Sequence, residues 1–287
     1  MKQAIIEKIA VFLLKRGYTV KNLKRGCFDI LGRKESAILL IKVLEDANSV
    51  SREYADEMNV VASYINATPL IVAEKAGSKL EKNIVYTRFG ICTINFSTLE
   101  NCVHNRFPFI KRTQAGLTAS IIGNKIKSRR EELGLSLNAM SKKLGVSGRM
   151  VSKYENGFSE ITINKALKIY ELCGDEVFYE INIFNKHTEL TSNPKSDLSK
   201  KYVEMGFKAT DTRKSPFDII AKKNNEIIIT EVGDKFNPDS LAVSKLIDAD
   251  NLVIFDKKKP KDIAAMTKKE FLEFVEADEL IKFLKGF

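Results

Sequence analysis

The sequence predicts a multidomain protein in which two α/β blocks flank a central all-α block that carries a small β-hairpin and strand appendage. Three observations predict it. The chain is 287 residues long, 44% hydrophobic and 29% charged, which exceeds one domain of roughly 100–150 residues and supplies apolar side chains for more than one core. Apolar periodicity runs from mixed helix and strand spacing to purely helical and back again. The pattern of the first block also returns near the end of the chain.

The elements follow in order. Ile5, Ile9, Phe12 and Leu13 recur at helical spacing until Gly17 ends the helix. Strands are predicted at Ile38 to Val43 and Leu70 to Val72, with a helix from Tyr54 to Ile65 between them. RFPFIKRTQAGLTASIIG predicts a hairpin turning at Ala115-Gly116, and a helical block runs from Asn124 to about Cys173. Alternation over Val177 to Ile183 predicts another strand, and the polar KHTELTSNPKS a linker. The expected domains are therefore residues 1–105, 106–185 and 197–287, with 186–196 as the linker.

The last block repeats the first. A shift of 189 residues aligns Arg16 to Glu45 with Met205 to Asp234 without a gap, placing Gly17 on Gly206, Phe28-Asp29-Ile30 on Phe217-Asp218-Ile219 and Val43 on Val232. With one deletion, INATPLIV falls on IDADNLVI. The gapless length favours duplication over chance.

Several classes are excluded. No apolar run approaches the roughly 20 residues of a membrane span, and Glu7, Lys8, Lys15 and Arg16 make the amino-terminal segment an amphipathic helix rather than a signal peptide. Four cysteines without a C-x-x-C pair, and two distant histidines, His104 and His187, argue against a disulfide framework or a zinc finger. A cytoplasmic protein without cofactor or metal is expected. The formal charge is +10, of which Arg106 to Asn156 hold +8 from eleven basic and three acidic residues. Such concentration is the footprint of a phosphate-backbone binder.

Within that segment NKIKSRREELGLSLNAMSKKLGVSGRMVSKYENG divides into three helices. Ile126 and Arg130 face inward from the first, which ends at Leu133-Gly134. Ser136 caps the second, which buries Ala139, Met140 and Leu144. Gly145 makes the turn, Ser147 caps the third, and Val151 and Tyr154 face the core. This resembles the Cro/repressor (XRE-like) helix-turn-helix family, whose third helix enters the major groove. The resemblance implies base reading by Gly148, Arg149, Ser152 and Lys153, with Ser147 and Asn156 on phosphates, and a structural ion pair between Arg130 and Glu155. The family's glutamine at the start of the second helix is replaced by Leu137, and Gly148 has no side chain, so modest specificity with substantial phosphate affinity is expected. The basic hairpin, the L-G-L-S-L start and the T-x-x-x-A-L-K-I-Y helix together resemble predicted archaeal transcriptional regulators with a terminal α/β domain.

Each flanking repeat runs helix, Gly-aromatic strand, F-D-I and apolar strand, which resembles the PD-(D/E)xK nuclease fold of archaeal Holliday-junction resolvases. There an Asp and a Glu bind metal and a Lys two residues after the Glu acts on water. Here Asp29 and Lys42 are present but Leu40 takes the glutamate position. The second repeat has Asp218, with Ile229 for the glutamate and Glu231 for the lysine. Asp29 and Lys42 should form an ion pair. Asp218 and Glu231 form either a satisfied polar pair, the reading adopted, or a weak two-carboxylate site. The expectation is a non-enzymatic, sequence-responsive regulator that binds double-stranded DNA as a homodimer, with no catalytic residues. The degenerate domains would serve dimerisation, extra DNA contact or an unidentified effector. The alternative is a metal-dependent nuclease or junction-binding protein targeted by the helix-turn-helix.

Overall fold

The gapless repeat is reproduced strand for strand in the computed structural model, which describes residues 2–157, 159–185, 189–234, 237–260 and 263–287. Strands Thr19–Asn22, Ile30–Lys34 and Ala37–Asp46 begin at positions that, moved by 189, begin strands Lys208–Asp211, Ile219–Lys223 and Glu226–Val232. The ladders keep register, since Ile30 pairs with Ile41 and Ile219 with Thr230. Gly17 and Gly206 share a left-handed backbone, φ +82° and +86°, where a side chain other than hydrogen is strained. Even the cation over the aromatic ring recurs, Lys34 on Tyr18 and Lys223 on Phe207, each at 5.9 Å. After the deletion, Asn66 and Asp248 both adopt positive φ, and strands Thr68–Ala76 and Asp250–Phe255 follow.

The chain divides into two compact units, one of residues 1–73, 88–91 and 184–287, the other of residues 74–87 and 92–183. Both repeats lie in the first unit and meet reciprocally. Arg33 donates to the Leu246 carbonyl at 2.9 Å and pairs with Asp248, while Lys222, its counterpart, donates to Asn66, the counterpart of Asp248, at 3.3 Å. Helix Arg52–Tyr64 packs on strand Ile219–Lys223, and helix Pro238–Ile247 on strands Thr19–Asn22 and Ile30–Lys34. The pairing is self-complementary in the way of a two-fold interface, here between halves of one chain. Glu57 strengthens one side, accepting from the Arg213 and Lys214 amides and the Ser215 hydroxyl at 2.7–2.9 Å. The second repeat closes its own core with Tyr202, Phe207, Phe271, Leu280 and Leu284.

Of the expected linker, Lys186, His187 and Thr188 lie outside the described residues. Its later part is tied down, with the Asn193 amide on the Ala209 carbonyl and the Lys195 amide on Asp211. Burial opposes ionisation of Asp211, but the Ser196 and Ser199 hydroxyls and the Lys195 and Ser196 amides outweigh it and hold its carboxyl below the usual range.

In the second unit, strand Ile84–Arg88 runs parallel to Ile110–Thr113, which forms the expected hairpin with Gly116–Ile121. The turn falls one residue earlier than the expected Ala115-Gly116: Thr113 pairs with Gly116 across Gln114-Ala115, and φ +110° at Gly116, the first residue of the returning strand, suits only glycine. The next strand is Ser159–Thr162, not the predicted Val177 to Ile183. Gly116–Ile121 is already paired along most of both edges, so the later segment gains one bridge, Ile121 to Phe178, and isolated backbone bonds such as Tyr179 to Ser120. Among the described residues no helix is long and apolar enough to cross a membrane.

Candidate nucleic-acid interface

The three helices are Gly123–Glu132, Leu137–Leu144 and Gly148–Asn156. Local chemistry sets each boundary. Ser136 and Ser147 accept hydrogen bonds from the Ala139 and Met150 amides, satisfying otherwise orphaned donors. Gly145 adopts φ +63°, ψ +48° between the second and third helices. Ile126, Met140, Leu144, Val151 and Tyr154 share one core with Ala119, Ile161 and Ile169. Ala139 is only half-buried.

Two polar features lock the first helix against the third. Arg130 holds Glu155 through both carboxylate oxygens, Nε to Oε1 at 2.6 Å and Nη2 to Oε2 at 3.1 Å, and its Nη1 donates to the Leu135 carbonyl at 2.8 Å. The side chains are 11% and 5% exposed. Glu155 raises the Arg130 pKa still further, chiefly by accepting its hydrogen bond. Gly123 is the second feature, because a Cβ there would come within 2.6 Å of the Tyr154 and Glu155 carbonyls. The helices cross backbone against backbone, and the periodicity of the sequence carries no signal for that.

The outward face of the third helix bounds a concave surface of about 680 Å³ lined by Ser147, Arg149, Met150, Ser152, Lys153 and Asn156, with Gly157. Arg149 and Lys153 are exposed and have no ion-pair partner among the described residues. The Asn156 amide donates to the Ser152 carbonyl and hydroxyl at 2.9 and 3.2 Å. Ser147 caps with a lone pair, leaving its hydroxyl hydrogen free to donate. Gly148 lies against Asn138, whose Oδ1 would sit 3.0 Å from a Cβ at that position. Asn138 therefore borders the space a side chain at 148 would fill. Of the expected reading residues, Arg149, Ser152 and Lys153 line this surface together with Ser147 and Asn156, and the sequence reading named neither Met150, which also lines it, nor Asn138 beside Gly148.

The nuclease-related positions gather separately in the two repeats. Asp29 is buried, its Oδ2 accepting from the Val43 amide at 2.8 Å and its Oδ1 facing Lys2 at 2.9 Å and Lys42 at 3.4 Å. Lys42 also donates to the Gly26 carbonyl at 2.7 Å, and burial pulls its pKa down against the opposing pull of Asp29. Lys2 comes from the first helix, a long-range contact that sequence spacing does not reveal. Asp218 accepts from the Val232 amide at 2.7 Å. Glu231 is 4% exposed, with Oε2 bound by the Asn237 amide at 2.7 Å and, among the described residues, no partner at hydrogen-bond geometry for Oε1, although the Ser240 and Asn251 side chains lie near enough to favour its charge. Burial first, and then the Asp218 charge, push its carboxyl up to about 7.

Neither set suits a divalent ion. A magnesium ion keeps several waters in its octahedral shell and is held through one or two ionised carboxylates that are free to reach it. Asp29 is saturated by two ammoniums and an amide, and buried Leu40 adds no ligand. Asp218 and Glu231 offer two carboxylates, one of them costly to ionise, beside apolar Ile229. Among the described residues no cluster of three His, Cys, Asp or Glu could hold a metal.

Comparison with known proteins matches two stretches of the chain. Residues 2–108 match the PD-(D/E)XK superfamily domain and residues 126–174 a helix-turn-helix domain. A protein of Archaeoglobus fulgidus is 31% identical over 99% of this chain and 98% of its own length, and one of Methanocaldococcus jannaschii 28% identical over 100% and 97%. A third, of Thermococcus gammatolerans, is 25% identical over 99% and 96%. Each bears the name "Putative HTH-type transcriptional regulatory protein". With the helix-turn-helix and the PD-(D/E)XK domain both in place and the likeness running end to end, the chain belongs to this family of archaeal HTH-type regulatory proteins.

Proposed function

We propose that this protein is a cytoplasmic transcriptional regulator that binds double-stranded DNA through helix Gly148–Asn156 and performs no catalysis. The observation that carries the reading is the exposed face of that helix, where Arg149 and Lys153 stand free above a core of Val151 and Tyr154 inside a segment of charge +8. The names of its relatives support the regulatory role. Gly148, Arg149, Ser152 and Lys153 face base edges, and Ser147 and Asn156 meet phosphates, the latter by exchanging its bond to Ser152. Arg149 suits a bidentate contact to guanine.

The flanking repeats act as two nuclease-like domains whose metal chemistry has been lost, leaving dimerisation, added DNA contact or effector binding. A homodimer would span successive major grooves about 34 Å apart on a pseudo-palindromic site. Val275 and Phe287, 75% and 69% exposed near the carboxy terminus, offer apolar surface for it, whereas Phe271, Leu280 and Leu284 close the second repeat. The central unit also retains spare apolar surface, for Leu167 is 50% exposed while Ala166 and Ile169 of the same helix are buried.

The test is binding of the purified protein to duplex DNA across salt concentrations, followed by site selection. Arg149→Ala should cost about 1–3 kcal/mol on the selected site and relax preference at one position. Equal losses on selected and random DNA would remove Arg149 as a base reader. Magnesium-dependent cleavage of duplex or four-way-junction DNA, abolished by Asp218→Ala, would defeat the non-enzymatic reading.

A further inference from the structure

The reading helix carries one apolar side chain where polar ones are expected. Val151 and Tyr154 point into the core, but Met150 is 38% exposed and lines the same concave surface as Arg149, Ser152, Lys153 and Asn156. A lone exposed methionine needs no explanation elsewhere on a protein. Its position does here. The Met150 amide is held by the Ser147 cap, so the side chain starts from a fixed point in the first turn, the part of a recognition helix that reaches base edges. Its neighbour Gly148 presents nothing to a base, and the other side chains lining the surface are all polar. Thymine is the base with a methyl group in the major groove, and it is read by apolar contact.

We propose that Met150 is a specificity-determining residue that packs its thioether against a thymine C5-methyl group. The proposal rests on the DNA-reading role of helix Gly148–Asn156 argued above. An unbranched, polarizable side chain fits such a methyl without needing a hydrogen bond, and supplies discrimination that Gly148 cannot.

The experiment starts from a duplex selected by the full-length protein, with each thymine replaced in turn by deoxyuridine, which removes only the methyl. One replacement should weaken wild-type binding about fourfold, equivalent to ~0.8 kcal/mol for one buried methyl-sized group. Met150→Ala should bind the thymine and uracil duplexes alike, near the wild-type Kd for uracil, and Met150→Leu should keep the thymine preference. If no uracil duplex is weaker, or Met150→Ala retains the difference, the inference is overturned while DNA reading stands. If selection enriches no site over random DNA, the reading helix itself is refuted and this inference with it.

Discussion

The two repeats keep the same backbone and carry different chemistry. Asp29 and Asp218 do one thing in common, each accepting the amide fourteen residues later, Val43 or Val232, at 2.8 and 2.7 Å. Around that shared bond the first repeat places two lysines on its carboxylate. The second places another carboxyl, Glu231, at the position of Lys42. The aspartate thus ties adjacent strands together whether or not a neighbouring group can do chemistry. A carboxylate in F-D-I is explained by the fold alone, so its presence is not by itself evidence of a metal site.

The comparison breaks first if the two aspartates prove interchangeable. Asp29→Ala should destabilise by ~4 kcal/mol, because it leaves the buried Lys42 ammonium without its carboxylate. Asp218→Ala should cost only ~1 kcal/mol, since it removes one amide bond but also a like charge beside Glu231. Denaturant unfolding of both variants measures the difference, and equal losses would show that the charge around the aspartate is immaterial.

A buried ion pair in the other unit gives a scale for that value. Arg130→Ala should cost ~3 kcal/mol by stranding Glu155, somewhat less than Asp29→Ala because one guanidinium edge reaches water. A thermal shift equivalent to less than about 0.5 kcal/mol would mean the pair behaves as a surface one.

A further difference between the repeats is read through pH. Glu231 holds its proton up to about pH 7 in the folded chain, against an ordinary value of 4.5. A raised carboxyl pKa means the folded state binds more protons than the unfolded state between those values, so stability falls as pH rises through that window. Glu231→Gln should therefore match the wild type near pH 4.5 and exceed it by ~3 kcal/mol well above pH 7. A constant difference across the range would show that Glu231 ionises normally. The corresponding first-repeat position, Lys42, has no carboxyl to titrate, which sharpens the contrast between the halves.

Features that depend on near neighbours were legible in the residues. The caps at Ser136 and Ser147, the left-handed Gly145 and the hairpin, though not the exact residues of its turn, follow from short-range sterics and hydrogen bonding. The pairing of Arg130 with Glu155 was legible through family resemblance, since spacing alone does not distinguish it from two surface charges.

Other features arose only when distant segments met. Lys2 reaches Asp29 because the first helix packs across the sheet, and Arg33 reaches Asp248 because the repeats face one another. Gly123 is required by the nearness of the Tyr154 and Glu155 carbonyls. The segment from Val177 alternates like a strand but finds the edges beside it largely paired, so backbone hydrogen bonding overrides its pattern. Periodicity tells which side chains prefer burial. Which partners are near enough to bury them, and which backbone donors remain free, is settled when the elements pack.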